Sequence, residues 1–362
     1  MTVAEQASYD AGLAAENELI AQLKASGFSQ NKTLALLGLS KGSYQYRSKP
    51  RPRAVDPIPH RQRSHPAALS QAEEEQIVAL LRGSSVSVAE TFYRHLDQGP
   101  YLASMSSFHR LARREKIPMA ATGTRRRRKS ATGSAPVPVL SASGPGQVLC
   151  WDISFLPGPY RTTSYALYLI IDLFSRMIVG WTIQPGENKW IAAQLMDRVL
   201  TTAEGSVRTV HSDNGGAMTS TSMIKTLRKH HAAQSLIRPG VSNDNAQIES
   251  LFRTVKYGPA WPAAFTDLEH ANTWFTEFTR VYNHEHHHSG LAGFTPSQVH
   301  QGTWMKTAEA RQARLDAAHQ AHPERYRRRP QVPPPPSTVN LNLGHDDGKT
   351  HTPPTLLELL AG

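Results

Sequence analysis

"VRTVHSDNGG", residues 207–216, is the stretch that decides the fold of the central part of the chain. Apolar residues with strand character run up to Asp213, and two glycines follow, so the chain turns directly behind the carboxylate. Many α/β enzymes deliver a catalytic group at the carboxyl end of a strand in this way. An ordinary strand end has the same pattern, so the function of Asp213 depends on its neighbours.

Strand and helix patterns alternate around this stretch. Strand character marks the segments 147–156 (QVLCWDISFL), 164–183 (SYALYLIIDLFSRMIVGWTI), 207–213 and 233–239 (AQSLIRP). A turn near Asp172 to Arg176 makes the second segment a hairpin. Helical patterns mark 189–203, 220–231 and 242–257, the last capped by Ser242 or Asn243. This order predicts an α/β core with a mixed five-stranded sheet, consistent with the ribonuclease-H-like class.

The first 55 residues carry helical patterns of their own. Gly27 and Gly38 separate three short apolar patterns, and Ser40 is a suitable cap for the third. This punctuation is typical of a helix-turn-helix unit that binds DNA. Small three-helix units also serve as dimerisation modules, so the pattern alone leaves both functions open.

A second set of three helices is predicted over 66–120. Ser70 precedes the first helix and Glu73 lies in the capping-box position. The last helix is basic on its exposed side, where it carries Arg110, Arg113 and Arg114. We therefore expect a second helix-turn-helix unit whose final helix contacts DNA.

Positive charge is concentrated after this second set. The chain has a net charge of +11, yet residues 151–300 hold twelve basic and twelve acidic side chains, whereas 101–150 hold nine and one. Five consecutive cations lead into a segment rich in Ser, Gly, Pro and Ala: Arg125, Arg126, Arg127, Arg128 and Lys129. This composition predicts a basic flexible linker over 121–146 that binds DNA phosphates by counterion release, although such runs are also found simply solvated.

Composition excludes several other classes of protein. The chain has 362 residues, of which 39% are hydrophobic, and no apolar run approaches the roughly 20 residues that span a bilayer. Its first residues lack the basic-then-apolar order of a signal peptide, and its single cysteine, Cys150, excludes an internal disulfide framework. We expect a soluble protein in a reducing compartment.

Three carboxylates stand out against this layout. Asp152 lies inside an apolar strand, 60 residues separate it from Asp213, and 35 more separate Asp213 from Glu249 on the last helix. A carboxylate within an apolar strand is costly to bury unless it is paired or binds a metal. Asp172 stands beside Ser175 and Arg176 in the hairpin turn, so we assign it a structural role.

The ordered set of motifs resembles the DDE transposases of bacterial insertion sequences, in the insertion sequence three family, whose catalytic core is related to retroviral integrases. The resemblance extends over about residues 148–300. It rests on the motifs "WDIS", "YLIIDLFSRMIVGW", "HSDNGGAMTS", "RPGVSNDNAQIESLFRTVKY" and "YNHEHHHSGLAGFTP".

The resemblance implies an integrase catalytic core over 147–300, followed by a C-terminal helix and a basic, Pro-rich tail over 301–362. Asp152, Asp213 and Glu249 would be the catalytic residues and the ligands of two Mg²⁺ or Mn²⁺ ions. The implied reaction cleaves the element's ends and joins them to another DNA. The expected partners are double-stranded DNA at the element ends and the target, and further copies of the chain in a homo-oligomer. The expected location is the bacterial cytoplasm, in association with the nucleoid.

Two further residues lie on the helix of Glu249. Lys256 follows Glu249 by seven positions, which returns it to nearly the same helix face, and the resemblance implies that it contacts the DNA end. A solvated lysine is the alternative. Asn245, one turn before Glu249, is expected to orient that carboxylate or to contact a base.

Four histidines crowd the segment "YNHEHHHSGL": His284, His286, His287 and His288. Adjacent histidines at one helix end diverge, and the sequence offers no cysteine partner or second pair with zinc-like spacing, so we do not expect a zinc site. The resemblance instead implies that Tyr282, Asn283 and His288 support the end of the core. The family commonly has arginine at the position of His286, so a DNA contact is expected to be missing there.

Three other classes of protein share some of these features. A helix-turn-helix regulator with a decayed catalytic domain would keep the basic linker, but all three carboxylates are present. A structure-directed ribonuclease would use a similar sheet but would not need two helix-turn-helix units. A tyrosine or serine recombinase would need a protein nucleophile among clustered arginines, and residues 148–300 suggest none.

Overall fold

The computed structural model of the protein describes residues 3–48, 67–118, 139–238, 245–258 and 260–341. The chain divides into two compact units, Met1–His65 and Pro66–Gly362. The predicted basic run over 125–129 and the predicted caps Ser242 and Asn243 lie outside the described residues. No helix within the described ranges has both the length and the apolar character needed to cross a bilayer.

The described part of the first unit, residues 3–48, contains three helices: α1 (Val3–Ala25), α2 (Gln30–Leu36) and α3 (Lys41–Ser48). Gly27 and Gly38 have φ angles of 88° and 66°, so both lie in the left-handed region where glycine ends helices readily. The Ser40 hydroxyl accepts a hydrogen bond from the Ser43 amide at 3.1 Å. The predicted helix breaks and the predicted cap of the third helix are therefore confirmed.

The second unit begins with the three predicted helices: α4 (Gln71–Arg82), α5 (Val88–Gln98) and α6 (Met105–Arg114). Ser70 and Glu73 form the predicted capping box at the start of α4. The three helices pack around an apolar core that includes Ile77, Phe92 and Leu111. We refer to residues 67–118 as the second helical unit.

A mixed five-stranded sheet follows, as predicted. Its strands are β2 (Val148–Pro157), β3 (Ser164–Asp172), β4 (Ile178–Gln184), β5 (Thr209–Ser212) and β6 (Ala233–Leu236). Their spatial order is β4-β3-β2-β5-β6. The β2–β3 and β3–β4 pairs are antiparallel, whereas β2–β5 and β5–β6 are parallel. The predicted hairpin joins β3 to β4.

Helices cover both faces of this sheet. They are α7 (Lys189–Thr202), α8 (Thr221–Lys229), α9 (Ala246–Tyr257) and α10 (Leu268–His284). Because side chains alternate along a strand, Cys150 and Leu156 of β2 pack with the apolar residues of α9 and α10, whereas Leu149 and Trp151 pack with those of α7 and α8. Asp152 shares the parity of Cys150 and therefore lies on the face that α9 covers.

The C-terminal part contains α11 (Pro296–His300), α12 (Trp304–Ala321) and β7 (Val339–Leu341). β7 pairs antiparallel with β1 (Leu140–Ala142), a strand within the predicted linker 121–146. Both strands bury alternate residues against the α9 face of the core. Three-residue strands are too short for a reliable period-2 pattern, which explains why the sequence did not predict them.

Helix α9 also differs from the prediction at its start. Its first residue is Ala246 and its N-cap is Asn245, although Ser242 or Asn243 was predicted to cap it. The Asn245 side chain makes no capping hydrogen bond.

Candidate active site

Asp152 and Asp213 lie side by side on neighbouring strands. β2 and β5 are parallel, and Cys150 of β2 pairs with His211 of β5. Two residues farther along each strand, the same register brings Asp152 beside Asp213, which directly follows β5. Both carboxylates therefore leave the sheet on the same face and near the same edge.

The backbone orients both carboxylates. The Ile153 amide donates to Asp152 Oδ1 at 2.7 Å, and the Gly215 amide donates to Asp213 Oδ1 at 2.9 Å. A Cβ atom on Gly215 would lie 3.0 Å from Asp213 Oδ1 and 2.9 Å from the sulfur of Met218. Glycine behind Asp213 is therefore required by the close approach of the backbone to the carboxylate.

The two aspartates and Glu249 concentrate negative charge. Burial, together with the charges of Asp213 and Glu249, raises the pKa of Asp152 to about 7. The Ile153 amide and the ammonium of Lys256 act in the opposite direction on this pKa. Asp152 is thus a buried carboxyl whose charge its surroundings only partly compensate.

Helix α9 brings Glu249 and Lys256 to this face. Ile248, Leu251 and Val255 pack into the core beneath the helix, and Glu249 lies half-buried in its first turn. Near the end of α9 the Lys256 ammonium donates to the Ser154 hydroxyl at 2.8 Å. Lys256 therefore lies over β2 at Ser154, which is two residues beyond Asp152 in that strand.

Ser154 was not singled out in the sequence, although it stands inside the "WDIS" motif. The signal that identifies it is the period of two along a strand, which places Ser154 on the same face as Asp152. It anchors the lysine that was predicted to share a helix face with Glu249.

Asn245 is buried between α9 and β2, with only 3% of its surface exposed. Its Nδ2 donates to the backbone oxygen of Trp151 at 3.4 Å. Its Oδ1 has no hydrogen-bond partner among the described residues. Asn245 thus joins the start of the Glu249 helix to the residue before Asp152.

The carboxylates share a face without forming a closed set of metal ligands. Across the described parts of the chain, no three His, Cys, Asp or Glu side chains converge closely enough to hold an ion. Asp152 and Asp213 are adjacent in register, and Glu249 acts on Asp152 through its charge. We call these three residues, Asp152, Asp213 and Glu249, the carboxylate face.

Asn283 fastens the end of α10 to the sheet. Its Oδ1 accepts from the Ile178 amide at 2.9 Å, and its Nδ2 donates to the Ile178 oxygen at 3.0 Å. Tyr282 is buried beside it and stacks on Phe278 and His286. The asparagine satisfies both backbone groups of the residue that begins β4.

The remaining histidines of this segment have separate partners. Burial, together with the charges of His286 and Arg176, lowers the pKa of His288 to about 3, and its Nδ1 accepts from the Gly290 amide at 3.0 Å. His286 contacts Glu90 at 3.3 Å, and His287 contacts Asp97 at 2.9 Å. Two of the clustered histidines therefore face the second helical unit.

The basic residues of α6 differ from one another in their surroundings. Arg110 and Arg113 are exposed. Arg114 is also exposed, but its guanidinium pairs with Glu74 at 2.8 Å and with Glu115 at 3.2 Å. Arg110 and Arg113 are therefore better placed than Arg114 to meet an anionic partner.

Asp172 has the structural role that the sequence predicted. It is fully buried and accepts hydrogen bonds from the Gly146 amide at 2.9 Å and the Ser175 amide at 2.8 Å. Its Oδ2 also accepts from the Ser175 hydroxyl. The carboxylate fixes the turn between β3 and β4 and lies outside the carboxylate face.

Known proteins match the part of the chain that holds this face. The integrase core domain family matches residues 142–242, and a second integrase core domain family matches 222–296. Transposase InsF for insertion sequence IS3A of Escherichia coli (strain K12) is 32% identical over 161 residues, which cover 43% of this chain and 54% of that protein. The transposase for insertion sequence element IS904 of Lactococcus lactis is 32% identical over 157 residues, covering 42% and 60%.

The chain thus spans little more than half the length of these two relatives. A solved structure of the HTLV-2 integrase catalytic core domain in complex with magnesium is 16% identical to this chain, with a TM-score of 0.33, and covers 43% of this chain and 97% of that one. The two domain families match the residues that contain Asp152, Asp213 and Glu249. Over residues 142–296 the chain is therefore similar to integrase core domains and to the transposases of these two insertion sequences.

Proposed function

We propose that this protein binds the terminal repeats of an insertion sequence, cleaves DNA at the element ends and joins the freed ends to a target. The observation that carries the proposal is the carboxylate face. Asp152 and Asp213 lie in register on adjacent parallel strands, and Glu249 on α9 raises the pKa of Asp152. Carboxylates that repel one another at one edge of a sheet suit a site that binds cations.

The donor set fits a hard divalent cation in its chemistry. Three carboxylates supply oxygen ligands, which Mg²⁺ and Mn²⁺ prefer. Burial and the negative charges of Asp213 and Glu249 raise the pKa of Asp152, and a cation would compensate those charges. We infer that Asp152 and Asp213 hold the ions and that Glu249 completes the ligand set when DNA is present. Bound divalent ions, two in this proposal, would activate the attacking oxygen and stabilise the leaving oxygen.

The chemistry has two balanced steps. In the first, a water oxygen bonds to phosphorus while the bond to the 3′ oxygen breaks, which leaves a 3′-hydroxyl on the element. In the second, that hydroxyl bonds to a phosphorus of the target DNA and displaces the target's own 3′ oxygen. Neither step needs a covalent protein intermediate, and the side chains on this face serve to bind and orient the DNA.

Lys256 and Asn245 would assist from α9. Lys256 is anchored to Ser154 beside Asp152, where its ammonium can pair with a phosphate of the DNA end. Asn245 is buried against β2, which favours a role in orienting Glu249 over a direct contact with a base. Lys256→Glu should therefore weaken binding to a cleaved end more than binding to internal repeat sequence. Equal losses on both DNAs would indicate a general effect of charge.

Recognition of the terminal repeats is assigned to the helical parts of the chain. Side chains on α6, among them Arg110 and Arg113, are exposed and free to approach base edges. The basic run over 125–129 would add phosphate contacts that do not depend on sequence. Because cleaved ends must be joined to a separate DNA, we expect the active form to be a homo-oligomer on DNA.

The test is a strand-transfer assay with a labelled element end and Mg²⁺. Asp152→Asn, Asp213→Asn and Glu249→Gln should each abolish cleavage and joining, while binding to the same duplex stays within a few-fold of wild type. Glu277→Gln is the matched control, because Glu277 is an exposed carboxylate of the same domain that pairs with Arg280. Wild-type protein in Ca²⁺ should bind without cleaving. Joining by any of the three variants would remove that residue from the site.

A further inference from the structure

Arg311 of α12 is a charged side chain with no solvent exposure. Its Nε donates to Asp97 Oδ1 at 2.5 Å and its Nη2 to Asp97 Oδ2 at 2.9 Å, which is a two-pronged pair. Nη2 also donates to the backbone oxygen of Gly293 at 2.8 Å. The Arg311 guanidinium therefore binds both Asp97 and the backbone at Gly293.

Aromatic rings enclose the same guanidinium. Its central carbon lies 5.0 Å from the ring centre of Tyr93 and 4.5 Å from that of Phe294. His287 stacks on Tyr93 with an interplanar angle of 5° and also contacts Asp97. We call these five residues the Arg311 clasp: Arg311, Asp97, Tyr93, His287 and Phe294.

The clasp joins three segments that are distant in sequence. Tyr93 and Asp97 belong to α5 of the second helical unit, and His287 and Phe294 lie between α10 and α11 at the end of the integrase core. Arg311 belongs to α12, which also contributes Leu315 to the apolar core of the second helical unit. Helix α12 therefore contacts both the second helical unit and the integrase core and connects them.

The fit between these segments is close. Gly293 has a φ angle of 75°, and a Cβ atom there would lie 2.2 Å from the ring of Tyr93. A second contact, between Glu90 and His286 at 3.3 Å, lies along the same boundary. Arg325 adds a third, donating to both oxygens of Glu73 at 2.7 and 2.9 Å.

Ionic contacts of this kind select one arrangement. A buried ion pair contributes little net stability compared with apolar groups of the same volume, but it is satisfied in only one geometry. Two buried nitrogens of the clasp, Arg311 Nη1 and His287 Nδ1, have no hydrogen-bond partner among the described residues, which costs free energy. The second helical unit is therefore docked in a defined orientation.

That orientation has a consequence for DNA cleavage. The basic face of α6 in the same unit remains exposed. If α6 reads the repeat, its distance from the carboxylate face determines which phosphodiester reaches Asp152 and Asp213. Successive phosphates of one strand are spaced about 3.4 Å along the axis of the duplex, so a displacement of that size along the axis corresponds to one nucleotide.

We propose that Arg311 is a positioning residue that fixes the cleavage position by holding the second helical unit at a set distance from the carboxylate face. The inference rests on the proposed function. The contact of Arg311 with Asp97 and Gly293 thus determines which phosphodiester is cut, although Arg311 touches neither the DNA nor the reacting atoms.

The test maps cleavage positions to single nucleotides on a labelled duplex that carries an element end and its flanking DNA. Wild-type protein should cut at one position. Arg311→Met should spread the cuts over neighbouring phosphodiesters, with total cleavage reduced only a few-fold. Arg311→Lys keeps the charge but has a single donor nitrogen and loses the two-pronged pair, so the spread of cleavage positions should be intermediate. Arg329→Ala is the control, because it breaks an exposed ion pair with Asp316 on the same helix.

Thermal unfolding of each variant separates positioning from loss of structure. If Arg311→Met does not fold, Arg311→Lys and His287→Gln, which removes one contact to Asp97, decide the question by the same mapping. A folded variant that cuts more slowly but at the wild-type position would overturn the inference and leave the proposed function intact. A wild-type protein that binds the element end and makes no cut would overturn the proposed function and the inference together.

Discussion

Two aspartates of the second unit, Asp152 at the carboxylate face and Asp97 in the Arg311 clasp, respond to burial in opposite ways. Burial alone raises the pKa of both. At Asp152 the neighbouring carboxylates add to that effect and the pKa reaches about 7. At Asp97 hydrogen bonds from Arg311 and His287 outweigh burial, and the pKa falls below its usual value. The partners of a buried carboxylate, more than its burial, decide whether it is available for chemistry.

The comparison separates two uses of buried charge. The clasp is complete within the chain, since its carboxylate already has a cation and its cation already has aromatic neighbours. The carboxylate face is incomplete, since lysine offsets only part of its negative charge. A cluster whose charges compensate one another stabilises one arrangement of the chain. A cluster with uncompensated negative charge is suited to bind a cation.

Breaking the complete region should have the largest effect on stability. Asp97→Ala leaves the buried guanidinium of Arg311 without its carboxylate, which should lower the free energy of unfolding by about 3–5 kcal/mol. Urea denaturation followed by circular dichroism measures this. Asp316→Ala, which breaks the more exposed pair with Arg329 on the same helix, should change stability little. Similar losses for both variants would show that the clasp has no special role.

A substitution at the carboxylate face should change the free energy of unfolding in the opposite direction and by a smaller amount. Asp152→Asn removes one of the repelling charges, so in the absence of divalent ions it should raise the free energy of unfolding by about 1–3 kcal/mol, at about 1.4 kcal/mol per pKa unit. The same denaturation experiment, run in a chelator, tests this. A less stable variant would mean that Asp152 has a compensating partner in the free protein.

The smallest effect on stability is expected when acid protonates Glu73 and weakens its contact with Arg325. The hydrogen bond from Arg325 lowers the pKa of Glu73 from its usual 4.5 to about 2. A lowered carboxyl pKa stabilises the fold above the unfolded value and loses that contribution as the pH falls through the folded value. Stability should therefore decline between about pH 4.5 and 2, and Glu73→Gln should flatten that decline. An unchanged slope in the variant would assign the acid sensitivity to other carboxylates.

Much of the catalytic half followed from the sequence because its signals are local or periodic. The apolar run before Asp213, the two glycines behind it and the hairpin turn at Asp172 each predicted a feature that the structure contains. The same-face relation of Glu249 and Lys256 needed only the helical period. These features depend on residues that are close together in the chain.

The clasp and the β1–β7 pair escaped prediction because neither is local. Asp97 and Arg311 are 214 positions apart, and each stands on a helix among polar residues, where a charge is normally exposed. Leu140 and Leu341 pair across about two thirds of the second unit. Composition predicted a linker and a tail at those two places, because a short strand has no distinctive pattern of its own. Only the folded arrangement reveals that such residues are partners.

The pairing of β1 with β7 also bears on how the protein is made. β7 completes the cover over Leu140 and Ala142, which belong to the apolar core beneath the sheet. A ribosome that has synthesised the chain only as far as α10 has produced all three acidic residues of the carboxylate face but not the strand that closes this side of the core. Because long-range pairings must wait for both partners, the nascent chain reaches its finished form late in translation.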